Sequence, residues 1–131
     1  MAQQTRIVSG LIVEDQKVLL CFRINTKHFP LHWSLPVGHI ESHENEQDAL
    51  RRELFEELAI QVIDSVKLTT LYDNENEIEH SVYRVSDWRG QIKNREPHLC
   101  QKIGWFSFNE LPTPLTPPTQ TILSGIDYEQ D

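Results

Sequence analysis

The stretch GHIESHENEQDALRRELFEELAI, residues Gly38–Ile60, decides how this chain is read. It opens on a glycine and a polar loop, then reaches Asn45, a residue type that caps helix N-termini with its side chain. Glu46 and Asp48 follow, where carboxylates suit the first turn of a helix. Leu50, Leu54 and Leu58 recur every four residues and form an apolar stripe. Glu53, Glu56 and Glu57 stand at i, i+3 and i+4, so they project from neighbouring points on another face. The pattern predicts a helix from Asn45 to Leu58 or Ala59, fixed to a core by its leucines and aiming carboxylates at whatever lies opposite.

Carboxylates this close repel one another, by about 0.2–0.5 kcal/mol per i, i+4 pair on an exposed helix. Arg51 and Arg52 offset part of this. Two readings follow from the residues alone: a solvated acidic face, or a site for a hard cation. Mg²⁺ and Mn²⁺ take oxygen ligands, and Mg²⁺ keeps water and phosphate in its shell beside one or two protein carboxylates.

Outward from this helix, Arg6–Val13 and Lys17–Phe22 are apolar and β-branched, and read as two strands joined by a turn at Glu14–Gln16. Arg23–His32 reads as a loop, and Trp33–Val37 as a short extended piece that Pro36 keeps out of helix. After the helix, Gln61–Tyr72 and Ile78–Val85 read as strands around a turn, the second with no clean apolar face. Trp88–Cys100 reads as a loop and Ile103–Phe108 as the last strand. Pro118–Ile126 is a helix candidate, with proline in its first turn and Gly125 near its end. The order predicts one domain over residues 1–131, of α/β or α+β class, with residues 127–131 as a loose tail.

Composition narrows the partners. Twenty acidic against 12 basic side chains give a net charge of −8, which argues against a polymeric nucleic-acid partner. No apolar run is long enough to cross a bilayer, and MAQQTR carries no secretory pattern, so the expectation is a cytoplasmic protein without a membrane partner. Cys21 and Cys100 are too few for a disulfide scaffold and fit no zinc spacing, so they are expected as reduced thiols packed in the fold. A homodimer is compatible with the sequence.

Gly38, then Glu44 after five residues, then Arg52-Glu53-Leu54-Phe55-Glu56-Glu57-Leu58-Ala59-Ile60 after seven more, resembles the Nudix box, G-x5-E-x7-R-E-U-x-E-E-x-G-U with U bulky and apolar. Ala59 is the one departure, standing where the family has glycine. Glycine there would suit a left-handed residue closing the helix. The resemblance to Nudix (MutT-like) hydrolases implies a mixed β-sheet sandwiched between α-helices and hydrolysis of a nucleoside diphosphate linked to another group. It implies Glu53, Glu56 and Glu57 as metal-facing carboxylates, with the Gly38 backbone beside the Mg²⁺ (or Mn²⁺). Arg52 and Glu44 would orient them. Glu53 would be first choice to take a proton from water, with Glu56 and Glu96 behind it.

Outside the box, WSLPVGHIE resembles the family's W-x-x-P-G-G lead-in, with Val37 in place of the first glycine. His39 could reach a phosphate, and Arg23, with Lys27, is the best positive partner in the first half of the chain. Asn94-Arg95-Glu96-Pro97-His98-Leu99-Cys100, followed by Trp105-Phe106 and Leu111-Pro112, resembles one Nudix branch that contains nucleoside triphosphate pyrophosphatases. That branch implies a nucleoside triphosphate, normal or oxidised, as substrate and Glu96 as an extra carboxylate near metal or base. Phe29, Trp33, Trp105 and Phe106 could stack on a base or belong to the core. The alternatives are a Nudix hydrolase of a nucleotide sugar or nucleotide alcohol, or a non-catalytic ligand sensor on the same fold.

Overall fold

The computed structural model describes residues 4–125. In chain order the elements are β1 (Thr5–Leu11), β2 (Val13–Glu14), β3 (Lys17–Arg23), β4 (Trp33–Ser34), β5 (Val37–His39), α1 (Glu46–Leu58), β6 (Gln61–Asp73), β7 (Ile78–Arg89), β8 (Cys100–Ser107) and α2 (Pro117–Ser124). One sheet has the order β5-β1-β7-β6 and is mixed: β1 runs parallel to β7, while β5 and β6 are antiparallel to their neighbours. In the other, β3 pairs antiparallel with β2, β4 and β8.

Side chains alternate across a strand, and here both sides are covered. On one side Val8, Leu19, Tyr83 and Val85 pack with Leu50, Leu54 and Leu58 of α1. On the other, Leu11, Val18, Leu20 and Val82 pack with Ile122 and Leu123 of α2. The sheets thus lie between two helices, as the box resemblance implies. The same arrangement explains why Ile78–Val85 shows no clean apolar face: both faces of β7 are buried, so no polar side marks solvent.

Several boundaries differ from the expectation. β7 runs on to Arg89, because Trp88 and Arg89 pair with Val62 and Gln61, so the loop starts at Gly90 rather than Trp88. The Trp33–Val37 piece divides around Leu35-Pro36: Trp33–Ser34 pairs with β3, whereas Val37–His39 pairs with β1. The short segment therefore crosses from one sheet to the other, with the Pro36 carbonyl accepting from Gly10 N at 3.1 Å. The last strand begins earlier, at Cys100, and α2 begins at Pro117 behind the capping side chain of Thr116. The expected tail, residues 127–131, lies outside the described residues.

The expectation of two separate reduced thiols is corrected. Cys21 and Cys100 are joined as a disulfide, with their Cα atoms 5.8 Å apart. β3 and β8 pair with a register shift at Phe22/Arg23, which brings together two residues 79 apart in sequence. Nothing in their spacing announces that pairing, because it is set by strand register.

Candidate active site

The carboxylate helix starts where its cap places it: Asn45 Oδ1 accepts from Asp48 N at 2.8 Å. With Leu50, Leu54 and Leu58 buried, the 53/56/57 face turns to a cleft of about 1300 Å³. α1 closes on Ala59 in the left-handed conformation, φ 64° and ψ 26°, with its N–H bonded to Phe55 O at 3.0 Å. The family's glycine position thus keeps its geometry without glycine.

Arg52 organises the loop before the helix. Its Nε and Nη2 donate to the two oxygens of Glu44 at 2.6 and 2.8 Å, and Nη2 also donates to the His39 carbonyl at 2.9 Å. Nη1 donates to Glu53 Oε1 at 3.0 Å and to Glu56 Oε2 at 3.4 Å. One guanidinium therefore ties the Gly38–Glu44 loop to two of the box carboxylates. The hydrogen bonds from Arg52 hold Glu44 down to about 2, and Glu44 in return holds Arg52 charged.

Glu53 and Glu57 sit deeper. Burial pushes Glu53 above the usual carboxylate range, opposed in part by Arg52. Burial pushes Glu57 up further, and the negative charges of Glu53, Glu96 and Glu56 add to it. Glu57 Oε2 is buried with no hydrogen-bond partner among the described residues. Gly38 lies directly against the Glu53 carboxylate, so that any Cβ at position 38 would overlap it. Glu56 is half-exposed at the rim.

These residues fit a divalent cation. A buried carboxylate oxygen without a donor is costly as it stands, and a cation would satisfy it. Among the described residues no set of three or more His, Cys, Asp or Glu side chains is gathered as a complete metal cage. A cation that keeps water and substrate oxygens in its shell needs only one or two carboxylates, which Glu57 and Glu53 provide.

The positive side of the cleft is Arg23, at the end of β3. Its Nε and Nη2 donate to the His28 carbonyl at 3.3 and 2.9 Å, which pins the loop after β3. Burial lowers its pKa, and the charge of Glu57 pulls it back up. Lys27, His39 and Glu96 line the same cleft. Glu96 is held by its own backbone: its N–H donates to Asn94 Oδ1 at 3.2 Å, and its carbonyl accepts from Leu99 and Cys100. Asn94 Nδ2 donates to the Cys100 carbonyl at 2.7 Å, and Arg95 N donates to the Glu57 carbonyl at 2.9 Å. The Asn94–Cys100 motif is thus a turn that clamps Glu96 against the end of α1.

Of the aromatic candidates, Trp33 and Phe106 stack edge to face, centroids 4.9 Å apart, within the α2-side core. They are core rather than base contacts. Phe29 lines the cleft. Sequence reading passed over Ser9 and His80, buried polar residues that also line it. The sequence offered little signal for them, since β7 also carries Glu79, Ser81 and Arg84 and so does not single out His80.

A partly buried acidic helix face, a glycine-backed carboxylate and an opposing arginine thus share one cleft. The NUDIX domain family matches residues 3–124, and the chain belongs to that family. It is a NUDIX hydrolase by family and by fold. A MutT NUDIX hydrolase of Burkholderia pseudomallei superposes with a TM-score of 0.89 at 28% identity, covering 96% of this chain and 100% of that one. The nucleoside triphosphatase NudI of Salmonella heidelberg is 33% identical over 65% of this chain and 68% of its own length. An RNA pyrophosphohydrolase of Bartonella henselae is 34% identical over 76% of this chain, which spans 52% of that protein. An 8-oxo-dGTP diphosphatase of Buchnera aphidicola is 25% identical over 76% of both chains.

Proposed function

We propose that this protein hydrolyses a phosphoanhydride bond of a nucleoside triphosphate, normal or oxidised, giving the nucleoside monophosphate and pyrophosphate. The observation that carries the reading is the pair Glu53 and Glu57 in the cleft that holds Arg23: the Glu53 carboxylate lies against Gly38, and one Glu57 oxygen is buried without a hydrogen-bond partner among the described residues. Relatives named for nucleoside triphosphate and 8-oxo-dGTP hydrolysis support the substrate class.

Glu53, Glu57 and the Gly38 backbone would hold Mg²⁺, with Mn²⁺ as substitute, and Glu56 stands at the rim to join them. When bound, the cation neutralises phosphate oxygens and makes bound water more acidic. Arg52 holds Glu53 in place while Glu44 fixes Arg52. Water attacks phosphorus, its proton passes to Glu53, and the P–O bond to pyrophosphate breaks. Glu53 is pushed up by burial in the free protein, so a cation that favours its charged form prepares it as a base. Arg23 and Lys27 meet the anionic chain, His39 extends that contact, and Glu96 adds a carboxylate beside the pair.

The net charge of −8 favours a free nucleotide over a polymer. Among the described residues no helix is long and apolar enough to cross a membrane. We read the protein as cytoplasmic, where its nucleotide substrate would be. A homodimer is compatible with the exposed side chains of Val66, Leu68 and Tyr72 on edge strand β6.

The test is a Mg²⁺-dependent screen for pyrophosphate release over nucleoside triphosphates, oxidised forms included. Release from at least one supports the reading. No release, with cleavage of a nucleotide sugar or nucleotide alcohol instead, moves the assignment to another nucleoside diphosphate derivative.

A further inference from the structure

We propose that Ser9 and His80, on the floor of the cleft, read the hydrogen-bonding edge of the substrate's nucleobase. The inference rests on the nucleoside triphosphate reading above. Ser9 is on β1 and His80 on β7, parallel neighbours in register at Ile7↔His80 and Ser9↔Val82. That register puts both side chains on one face, where Ser9 Oγ hydrogen-bonds His80 Nε2. Both line the same cleft as Glu53 and Glu57. On this face His80 lies between its register partners Ile7 on β1 and Leu71 on β6, both of which line the cleft.

An imidazole is not needed for packing among such neighbours. His80 is only 8% exposed, and its Nδ1 has no hydrogen-bond partner among the described residues. An unmet buried polar atom is costly, and such atoms persist where function uses them. An apolar residue of similar size would remove that cost.

The chemistry selects an uncharged ligand. Burial pulls His80 down to about 4, so the ring is neutral at physiological pH and offers one N–H and one lone pair. A neutral ring is a poor phosphate partner. If Ser9 donates to Nε2, Nδ1 carries the proton and donates; if Nε2–H donates to Ser9, Nδ1 accepts and the serine hydroxyl is left to donate. Rotation about χ2, broad and two-fold for histidine, changes which ring edge faces the cleft. One donor and one acceptor set in apolar walls match a base edge, whose own groups alternate in the same way. A site built to hydrogen-bond its substrate discriminates more strongly than apolar contact alone.

The experiment compares kcat/KM for a panel of nucleoside triphosphates differing only in base, oxidised guanine included, with 2-deoxyribose 5-triphosphate as a base-free control. Wild type, Ser9→Ala and His80→Phe are assayed as purified full-length proteins. The expected result is a wild type that prefers one base by tenfold or more. Both variants lose that preference, chiefly through KM, and keep the base-free rate within about twofold. If His80→Phe fails to fold, Ser9→Ala carries the test, because it removes only a hydroxyl. Retained preference in a folded variant overturns the inference, as do equal losses on every substrate including the base-free one, and a wild type without base preference. These outcomes leave the triphosphate reading standing. A wild type that cleaves no triphosphate removes that reading, and this inference with it.

Discussion

Gly38 lies under the Glu53 carboxylate with no room for a side chain between them. The box glycine is therefore not there for a turn: it lets a strand backbone touch a carboxylate that α1 brings down from above. Adding one methyl at this point tests whether the contact positions Glu53. Gly38→Ala should fold, because the crowding falls on one side chain at the cleft. It should lose activity by about 100-fold, the loss expected when a catalytic group is displaced by about 1 Å. Steady-state rates beside thermal melts check this; a fully active Gly38→Ala protein would show that the contact is incidental.

Arg52 makes two parallel hydrogen bonds to Glu44 and reaches Glu53 and Glu56 with its third nitrogen. A lysine keeps the charge but not the fork. Arg52→Lys should weaken apparent Mg²⁺ affinity by about 10–100-fold, in line with the loss of an orienting partner. A Mg²⁺ titration of activity measures it, and an unchanged half-saturation point would remove Arg52 from this role.

Ala59 closes α1 at φ 64°, a conformation that costs a non-glycine residue about 1–2 kcal/mol. Ala59→Gly should therefore stabilise the protein by about 1 kcal/mol in urea unfolding, with part of the gain lost to the freer unfolded chain. Because the residue touches no box carboxylate, turnover should stay within about twofold, well under the factor of ten that about 1.4 kcal/mol of barrier would give. Lower stability would mean that neighbours of Ala59 have adapted to its methyl group.

His80 gives the fold an acid sensitivity. Burial holds it at about 4 against an ordinary 6.5, so the unfolded chain takes up this proton first as pH falls. Its contribution is complete above pH 6.5 and is lost between there and about 4, by up to about 3 kcal/mol. Glu57 acts in the opposite sense, since its raised pKa lets the folded protein bind a proton first. Comparing wild type with His80→Phe across this range, without added cation, isolates the histidine. The variant should lose less stability on acidification, and parallel curves would contradict the assignment.

Much of this site was legible because it is local. The distances from Gly38 to Glu44 and on to Arg52–Glu57 are read along one loop and one helix, and the cap at Asn45 and the leucine stripe fix which way that helix faces. Asn94–Cys100 was recognisable as a motif for the same reason, but the turn it makes against α1 was not. What escaped depends on register between strands far apart in sequence. The Cys21–Cys100 bond needs the shifted pairing of β3 with β8. The extension of β7 to Arg89 needs its partner Gln61. The Ser9–His80 contact needs β1 beside β7 in parallel. Pro36 announced an extended segment but not that the segment changes sheets there.

The most direct measurement of the central claim is Mg²⁺-dependent pyrophosphate release, from whichever nucleoside triphosphate serves wild type best, by Glu53→Gln and Glu57→Gln. Both substitutions keep shape and remove charge, so both proteins should melt near wild type. Turnover should fall by about two orders of magnitude or more in each, the scale set by general-base loss. Wild-type-like turnover in both folded variants would contradict the account.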